Sequence, residues 1–315
     1  MLSFLIKRLS QTIITLFIVS LISFVLSMIL PGDPVLALVG PDGATKEMLE
    51  VYRKELGLDQ PVYVQYFRWL GRALHGDFGT SIRTRAHVLT LFYQRLPVTI
   101  ELLVLGVIFA VFLAFPLGIF SSLRPNTWID TTSTVLAVSG VAMPQFLLAM
   151  ILILVFSLWL GWFPSSGYIE PWKNLWASIR TLILPAVSLG FVVAAEMMRQ
   201  VRSSMLEVLQ DEYIQTARAK GLAEPVVIIK HALRNALIPV VTLLGLRIGR
   251  LIGGLVIIEV VFSLPGIGQM LLNAVLFKDM PVLQSGVLLV AFAVTLINLL
   301  VDLSYSLIDP RIRYS

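Results

Sequence analysis

The chain has 315 residues, contains no cysteine and is poor in charge and in histidine. Without cysteine there are no disulfides, thiolate metal sites or cysteine nucleophiles. The histidines His75, His87 and His231 lie far apart, without HExxH-type spacing, and are interpreted as ordinary surface or interface residues. Charged residues make up 14%, against roughly a quarter in soluble domains, and the mean hydropathy is +0.88. These values exclude a water-soluble fold and predict an all-α membrane protein.

A nucleotide-binding loop is also missing. No G-x-x-x-x-G-K-[ST] string occurs, so we expect this chain to bind no ATP through a P-loop and to carry no cofactor of its own. The net charge of +5 is that of many nucleic-acid-binding proteins, but membrane proteins also collect Lys and Arg in their cytoplasmic loops. The positions of these residues favour the second explanation, without a nucleic-acid partner.

Apolar runs of membrane-spanning length recur along the sequence. A spanning helix needs about 20 residues, and six stretches meet this length. We predict six transmembrane helices within Leu9–Leu30, Pro97–Leu123, Thr134–Leu160, Thr181–Met198, Ala236–Phe262 and Leu283–Ile308. The first run is too long for a signal peptide and lacks a cleavage motif, which predicts a retained helix. The third is long enough to tilt.

The distribution of Lys and Arg predicts the orientation. If the N-terminus is cytoplasmic, the short outside loops hold only Lys173, Arg180 and Lys278, whereas eleven basic residues lie inside. The long loop 31–95 holds eight more, but loops beyond about 60 residues cross the membrane largely regardless of charge. Both termini are therefore predicted to be cytoplasmic, and the long loop external.

Two helices are predicted in the long external loop. Thr45 can cap the first helix and Gly57 can end it, while the second starts near Pro61 and runs through Tyr66 and Trp69 towards Gly76. The aromatic residues suit a helix at the headgroup level. The loop is interpreted either as a membrane-anchored decoration or as a platform for an external partner.

The cytoplasmic segment from Asp211 to Pro239 combines dense charge with short apolar patterns. A short helix starts at Asp211 or Glu212, places Tyr213, Ile214 and Ala217 on one side and ends at Gly221. Pro225 opens another helix that leads into the fifth span. The apolar side of the short helix needs a cover, which is either the protein's own surface or the groove of a partner.

The fifth predicted span contains a glycine repeat. Gly245, Gly249 and Gly253 recur at every fourth position and predict close helix packing, within the chain or against a second subunit. Arg247 and Arg250 lie in the same span, where an uncompensated charge costs at least about 2.5–3.5 kcal/mol. They snorkel, pair with an acid such as Glu196 or Glu101, or line a translocation path; Arg247, Arg250 and Glu196 are the candidate path residues.

The strings EYIQTARAKGL (212–222) and HALRNALIPVVT (231–242) resemble the conserved loop of ABC importer permeases. Further strings, in order along nearly the whole chain, resemble the first permease of dipeptide, oligopeptide, glutathione and nickel importers: PGDP (31–34), LGLDQP (56–61), GDFGTS (76–81), RSSMLEVL (202–209), FSLPGIG (262–268) and NLLVDLSYSLIDPRIR (298–313). Ala217 and Gly221 keep the general Ala and Gly pattern of the importer loop. Tyr213 and Ile214 depart from it as the peptide branch does.

This resemblance implies a type I ABC importer permease fold in three parts: a first helix with the external loop (1–94), a permease core (95–306) and a cytoplasmic tail (307–315). It implies a non-catalytic inner-membrane subunit that imports short peptides together with a second permease, two ATPases that bind ATP and Mg²⁺, and an external solute-binding protein. The residues implied to couple to the ATPase are Glu212, Tyr213, Ile214, Thr216, Ala217, Arg218, Ala219, Lys220 and Gly221.

Three alternatives stay open. Glutathione or a nickel chelate is the alternative cargo within the same branch. An ion-coupled secondary transporter would use intramembrane acids and inverted repeats, but no internal duplication is evident and the acids lie towards helix ends. A structural membrane scaffold is the third reading.

Overall fold

The computed structural model describes residues 2–29, 46–55, 57 and 59–308. In these ranges the backbone is helical apart from turns, loops and one isolated bridge between Thr80 and His87. The α-helices are α1 Leu2–Ile29, α2 Lys46–Glu55, α3 Val62–Leu74, α4 Val88–Leu123, α5 Trp128–Ala142, α6 Gln145–Leu152, α7 Leu175–Val208, α8 Glu212–Ala219, α9 Glu224–Val226, α10 Arg234–Val261, α11 Ile267–Leu276 and α12 Met280–Ile308. Two π-helical segments, Ile153–Trp159 and Val227–Leu233, continue α6 and α9.

Five helices among the described residues are long and apolar enough to cross a membrane, or six if one bent pair counts as a single span. The bent pair corrects the prediction for Thr134–Leu160. Instead of one tilted helix, the chain bends by 112° between α5 and the helical segment Gln145–Trp159, which consists of α6 and its π-helical continuation. Pro144 lacks an N–H and disfavours helical backbone in the residue before it, and Met143 is extended at φ −87° and ψ 125°.

The ends of the short helices α2 and α3 were predicted more closely than the start of the long helix α4. Gly57 follows α2 with φ +67°, and Gly76 follows α3 with φ +84°, as the predicted helix ends require. The predicted cap Thr45 lies outside the described residues. Helix α11 was not predicted, and α4 begins at Val88, upstream of the predicted Pro97.

The chain divides into two compact units, one formed by Met1–Pro97 with Pro265–Ile297 and the other by Val98–Leu264 with Asn298–Ser315. In the first unit, α3 packs on α1: Tyr66 and Trp69 are buried against Phe24, and the Tyr66 hydroxyl lies 2.8 Å from Ser20 Oγ. The opposite face of α3 exposes Tyr63 and Phe67. The headgroup position of this helix stays a prediction.

The second unit is built around α7, the most buried of the long helices. Gly106, Ala110, Ala114 and Gly118 of α4 recur at every fourth position, and the two alanines are fully buried. A Cβ on Gly190 of α7 would lie 2.2 Å from the Gly106 carbonyl oxygen. Small residues therefore let these two backbones touch, and this stripe was missed at the sequence level although its spacing is visible there.

Buried acids in this unit have specific partners. Glu259 is fully buried and accepts a 2.6 Å hydrogen bond from Thr99 Oγ1. Glu101 accepts a 2.9 Å hydrogen bond from Tyr168, and burial together with this contact raises the pKa of Tyr168. Glu101 is therefore engaged by a tyrosine.

Candidate functional site

The short helix α8 forms where the sequence predicted it, at Glu212–Ala219. Asp211 precedes it in extended conformation, and Gly221 follows it with φ +77°, a left-handed conformation that glycine adopts without the penalty of a side chain. The turn at Gly221 thus has a local cause in the sequence.

The apolar side of α8 is covered by the chain itself. Ile214 is fully buried and Ala217 is 7% exposed, and the helix packs on the π-helical segment Val227–Leu233, whose Val227 and Ala232 are also fully buried. Of the two predicted covers, a partner groove is not needed over Ile214 and Ala217, because the segment that begins at Pro225 folds back beneath them. The alternative, packing on the protein's own surface, is what the structure has.

Polar contacts fix the same helix at its two ends. Tyr213 is 40% exposed, and its hydroxyl accepts a 2.7 Å hydrogen bond from Asn235 Nδ2. Arg218 donates to both carboxylate oxygens of Glu224, at 2.6 and 3.2 Å, and this contact raises the pKa of Arg218. Helix α8 is thus held to the start of the next helix as one compact element.

The opposite face of α8 is free of such packing. Helical geometry places Glu212, Gln215, Thr216 and Ala219 on it, and all four are exposed. Lys220 is exposed beside them, and the exposed apolar side chains Leu222, Val226 and Ile229 follow in the chain. This outward surface, not the buried one, is available to another protein.

The C-terminal end of α7 is tied to the end of α4 and to the start of α5. Arg202 contacts both carboxylate oxygens of Asp130, at 2.6 and 2.8 Å, and Ser121 Oγ donates to the same carboxylate. The backbone N–H of Asn126, itself at φ +60°, donates to Asp130 as well. The resemblance included Arg202 in a matching string, but the role of Asp130 was missed, because nothing in the sequence pairs residues 72 positions apart.

A cavity of about 360 Å³ lies between α7 and α10. The side chains that line it are Glu196, Arg199, Gln200 and Ser203 of α7 and Leu243 and Arg247 of α10. Arg247 Nε is 2.6 Å from Glu196 Oε2, so the structure brings together two of the three candidate path residues. The Nε–H does not point along a hydrogen bond, so this contact is an ion pair by distance rather than a directed bond. The side chain of the third, Arg250, lies outside the described residues.

The glycine repeat of α10 is not a packing face inside this chain along its whole length. Gly245 is buried and Gly249 faces Asn298, but Gly253 is exposed and nothing lies within 4 Å of its Cβ position. The tightly packed glycine is instead Gly254, whose Cβ would meet Gln145 Oε1 at 2.3 Å. A role of Gly253 in contact with a second subunit stays a prediction.

Helices of membrane-spanning length, a short charged helix and a polar cavity together define a helical membrane protein. The family model for the binding-protein-dependent transport system inner membrane component matches residues 114–314, and the model for its N-terminal part matches residues 1–103. The chain belongs to this family. It is an inner-membrane permease of an ABC importer rather than an enzyme, and it works with ATPase and solute-binding partners.

Known proteins of this family resemble the chain over its full length. It is 43% identical over 314 residues to the glutathione transport system permease protein GsiC of Escherichia coli strain K12, covering 100% of both chains. The same identity and coverage hold for GsiC of Shigella flexneri serotype 5b. Among solved structures, an amino acid ABC transporter crystallised with histidines matches at a TM-score of 0.51 and 14% identity, over 71% of this chain and 95% of that one. This match supports the type I permease fold.

Proposed function

We propose that this chain is the permease through which a short peptide of the glutathione class enters the cell. The observation that carries the proposal is the full-length 43% identity to glutathione permeases. At the sequence level, general dipeptides and oligopeptides ranked first and glutathione second. The relatives favour the second choice, and a peptide importer of broader range is the alternative.

The assembly we propose contains this chain, a second similar permease, two ATPases that bind ATP and Mg²⁺, and an external solute-binding protein. The outward surface of α8, formed by Glu212, Gln215, Thr216 and Ala219 with Lys220 beside it, is the part offered to an ATPase. Because Ile214 and Ala217 are buried in the chain itself, a push on α8 is passed to the π-helical segment and to α10. Rigid transmission of this kind is what alternating access requires.

Reconstitution tests the cargo directly. The complete complex is placed in proteoliposomes with its solute-binding protein, and ATP-dependent uptake of radiolabelled glutathione, a dipeptide and a nickel chelate is measured side by side. We expect glutathione to accumulate fastest. Faster uptake of the dipeptide would move the cargo to the broader peptide class, and uptake of nickel alone would refute a peptide cargo.

A further inference from the structure

The lining of the cavity between α7 and α10 carries one net positive charge. Its lining holds two guanidinium groups, Arg199 and Arg247, and one carboxylate, Glu196. Glu196 and Arg247 lie within the predicted spans 181–198 and 236–262, where an ionisable group marks a functional site by default, because an uncompensated charge there costs at least about 2.5–3.5 kcal/mol. A purely structural ion pair would need only one cation for the one acid.

The contacts of these groups leave the cationic excess on the cavity side. Arg247 is paired with Glu196 by distance, but its buried Nε–H lacks an aligned acceptor among the described residues. Arg199 is exposed and has no ion-pair partner in the part of the chain that the structure describes. Gln200 and Ser203 add neutral hydrogen-bonding groups beside it. The lining therefore provides donors in excess of acceptors.

We propose that this cavity is a station on the translocation path that binds the C-terminal carboxylate of the passing peptide, with Arg199 as the recognising group. This inference rests on the proposed function. A guanidinium binds a carboxylate through two parallel hydrogen bonds, and Arg247 supplies a second cation nearby. Glu196 suits the ammonium group of the same peptide. Glutathione, with two carboxylates and one ammonium, carries the charge that complements the cavity.

The size of the cavity agrees with this ligand class. Its volume of about 360 Å³ is within the range of roughly 300–1,000 Å³ found for small-molecule sites. It lies at the end of α7 that leads into α8, because Ser203 is five positions before Val208, the last residue of α7. A bound peptide therefore lies on the helix that also connects to the outward surface of α8.

The same chemistry has a second source, since basic pockets between spanning helices also bind the phosphate of anionic lipid headgroups. The proposal commits to the solute. A lipid would be recognised through its phosphate and would be insensitive to the carboxylates of the cargo. The two sources therefore respond differently when the cargo is modified.

The test compares two cargos across matched variants of the full complex in proteoliposomes. Maximal ATP-dependent uptake is measured for glutathione and for its glycine amide, which lacks one carboxylate, at saturating solute-binding protein. For each variant, the rate of glutathione uptake is divided by the rate of amide uptake. Every variant is measured with the same solute-binding protein, so the preference of that protein affects each of these ratios equally. The variants are Arg199→Gln, Arg199→Lys and, as a control with the same charge change at an exposed site, Arg124→Gln.

We expect Arg199→Gln to lower uptake of glutathione about tenfold or more, because the variant loses the charge pair between Arg199 and the carboxylate of the cargo. Uptake of the amide should fall much less, because the amide has no carboxylate at that position to lose. Arg199→Lys should keep part of the preference, and Arg124→Gln all of it. An unchanged ratio in Arg199→Gln, or equal loss for both cargos with release of a co-purified anionic lipid, would overturn the proposal. If Arg199→Gln fails to assemble, Arg199→Lys decides by the same ratio. Failure of the wild type to transport glutathione would instead refute the proposed function.

Discussion

Arg202 and Asp130 form a two-pronged ion pair across the second unit, with Nε 2.6 Å from Oδ1 and Nη2 2.8 Å from Oδ2. Asp130 is 5% exposed and also receives Ser121 Oγ and the N–H of Asn126. Every acceptor position of this carboxylate is thus directed at the turn between α4 and α5 or at α7. The pair fixes the end of α7 from which α8 follows.

Replacement of Asp130 by Asn should destabilise the protein, because Arg202 keeps its charge and loses its partner. A fully buried pair loses about 3–5 kcal/mol in this way, and we expect about 2 kcal/mol here because the Arg202 side chain is 33% exposed. Thermal unfolding of the purified complex in detergent measures the effect. The exposed pair Arg218–Glu224 is the control, and Arg218→Gln should leave the unfolding temperature unchanged. Equal shifts for both variants would contradict this account.

Gly190→Ala should prevent normal packing of α7 on α4. Its Cβ would lie 2.2 Å from the Gly106 carbonyl oxygen, which is backbone and cannot rotate away. We expect a loss of folded protein on size-exclusion chromatography. Gly71→Ala in α3 is the control, since nothing lies within 4 Å of its Cβ position and alanine favours a helix by about 0.5–1 kcal/mol over glycine. A normal yield of folded Gly190→Ala protein would show that α7 and α4 are further apart than the 2.2 Å distance implies.

Gly253→Leu tests the predicted contact with a second permease. The position is exposed in this chain, so the isolated subunit should fold normally. If Gly253 meets another subunit closely, a leucine should separate the two permeases, which co-purification with an affinity tag on the second one measures. Gly71→Leu, also open in this chain, controls for the added apolar surface. Undiminished co-purification would remove Gly253 from the interface.

Gly221→Asp should uncouple ATP hydrolysis from uptake. The positive φ of Gly221 suits glycine best, and an aspartate there adds a negative charge just after the C-terminal end of α8, where the helix dipole disfavours it, so α8 would leave its present angle. We expect the ATPase rate to persist while uptake falls in reconstituted vesicles. Gly221→Asn is the matched control, because asparagine has the same size and the same tolerance of this backbone conformation but lacks the negative charge, and it should keep more of the coupling. Unchanged ATP-dependent uptake in Gly221→Asp would refute the coupling role of this turn.

Local signals in the sequence were sufficient for some elements. Helix α8, the turn at Gly221 and the helix that begins at Val62 follow from spacing, caps and glycine, which act within a few residues. The strong bend at Pro144 was not predicted, because apolar composition indicates the length of a span but not the direction of its helix.

Long-range contacts account for what was missed in the site. The cover over Ile214 comes from a π-helical segment 13 or more positions later, and the Asp130–Arg202 pair joins residues 72 positions apart. The pairing of Arg247 with Glu196 is the exception, because the sequence analysis names Glu196 as a possible acidic partner. A charged side chain within a spanning helix has few possible partners of opposite charge, whereas a charged side chain near water has many.

The length of α7 has a mechanical consequence. Its 34 residues make a rod of about 51 Å, held near its middle by backbone contact at Gly190 and by Ala195 against Gly140. A rod pivoting at such a fulcrum by about 5° moves its ends by about 2 Å in opposite directions. Since Asp130 holds Arg202, a rotation of this kind would carry the start of α5 along with one end of α7, while the Leu175 end moves in the opposite direction.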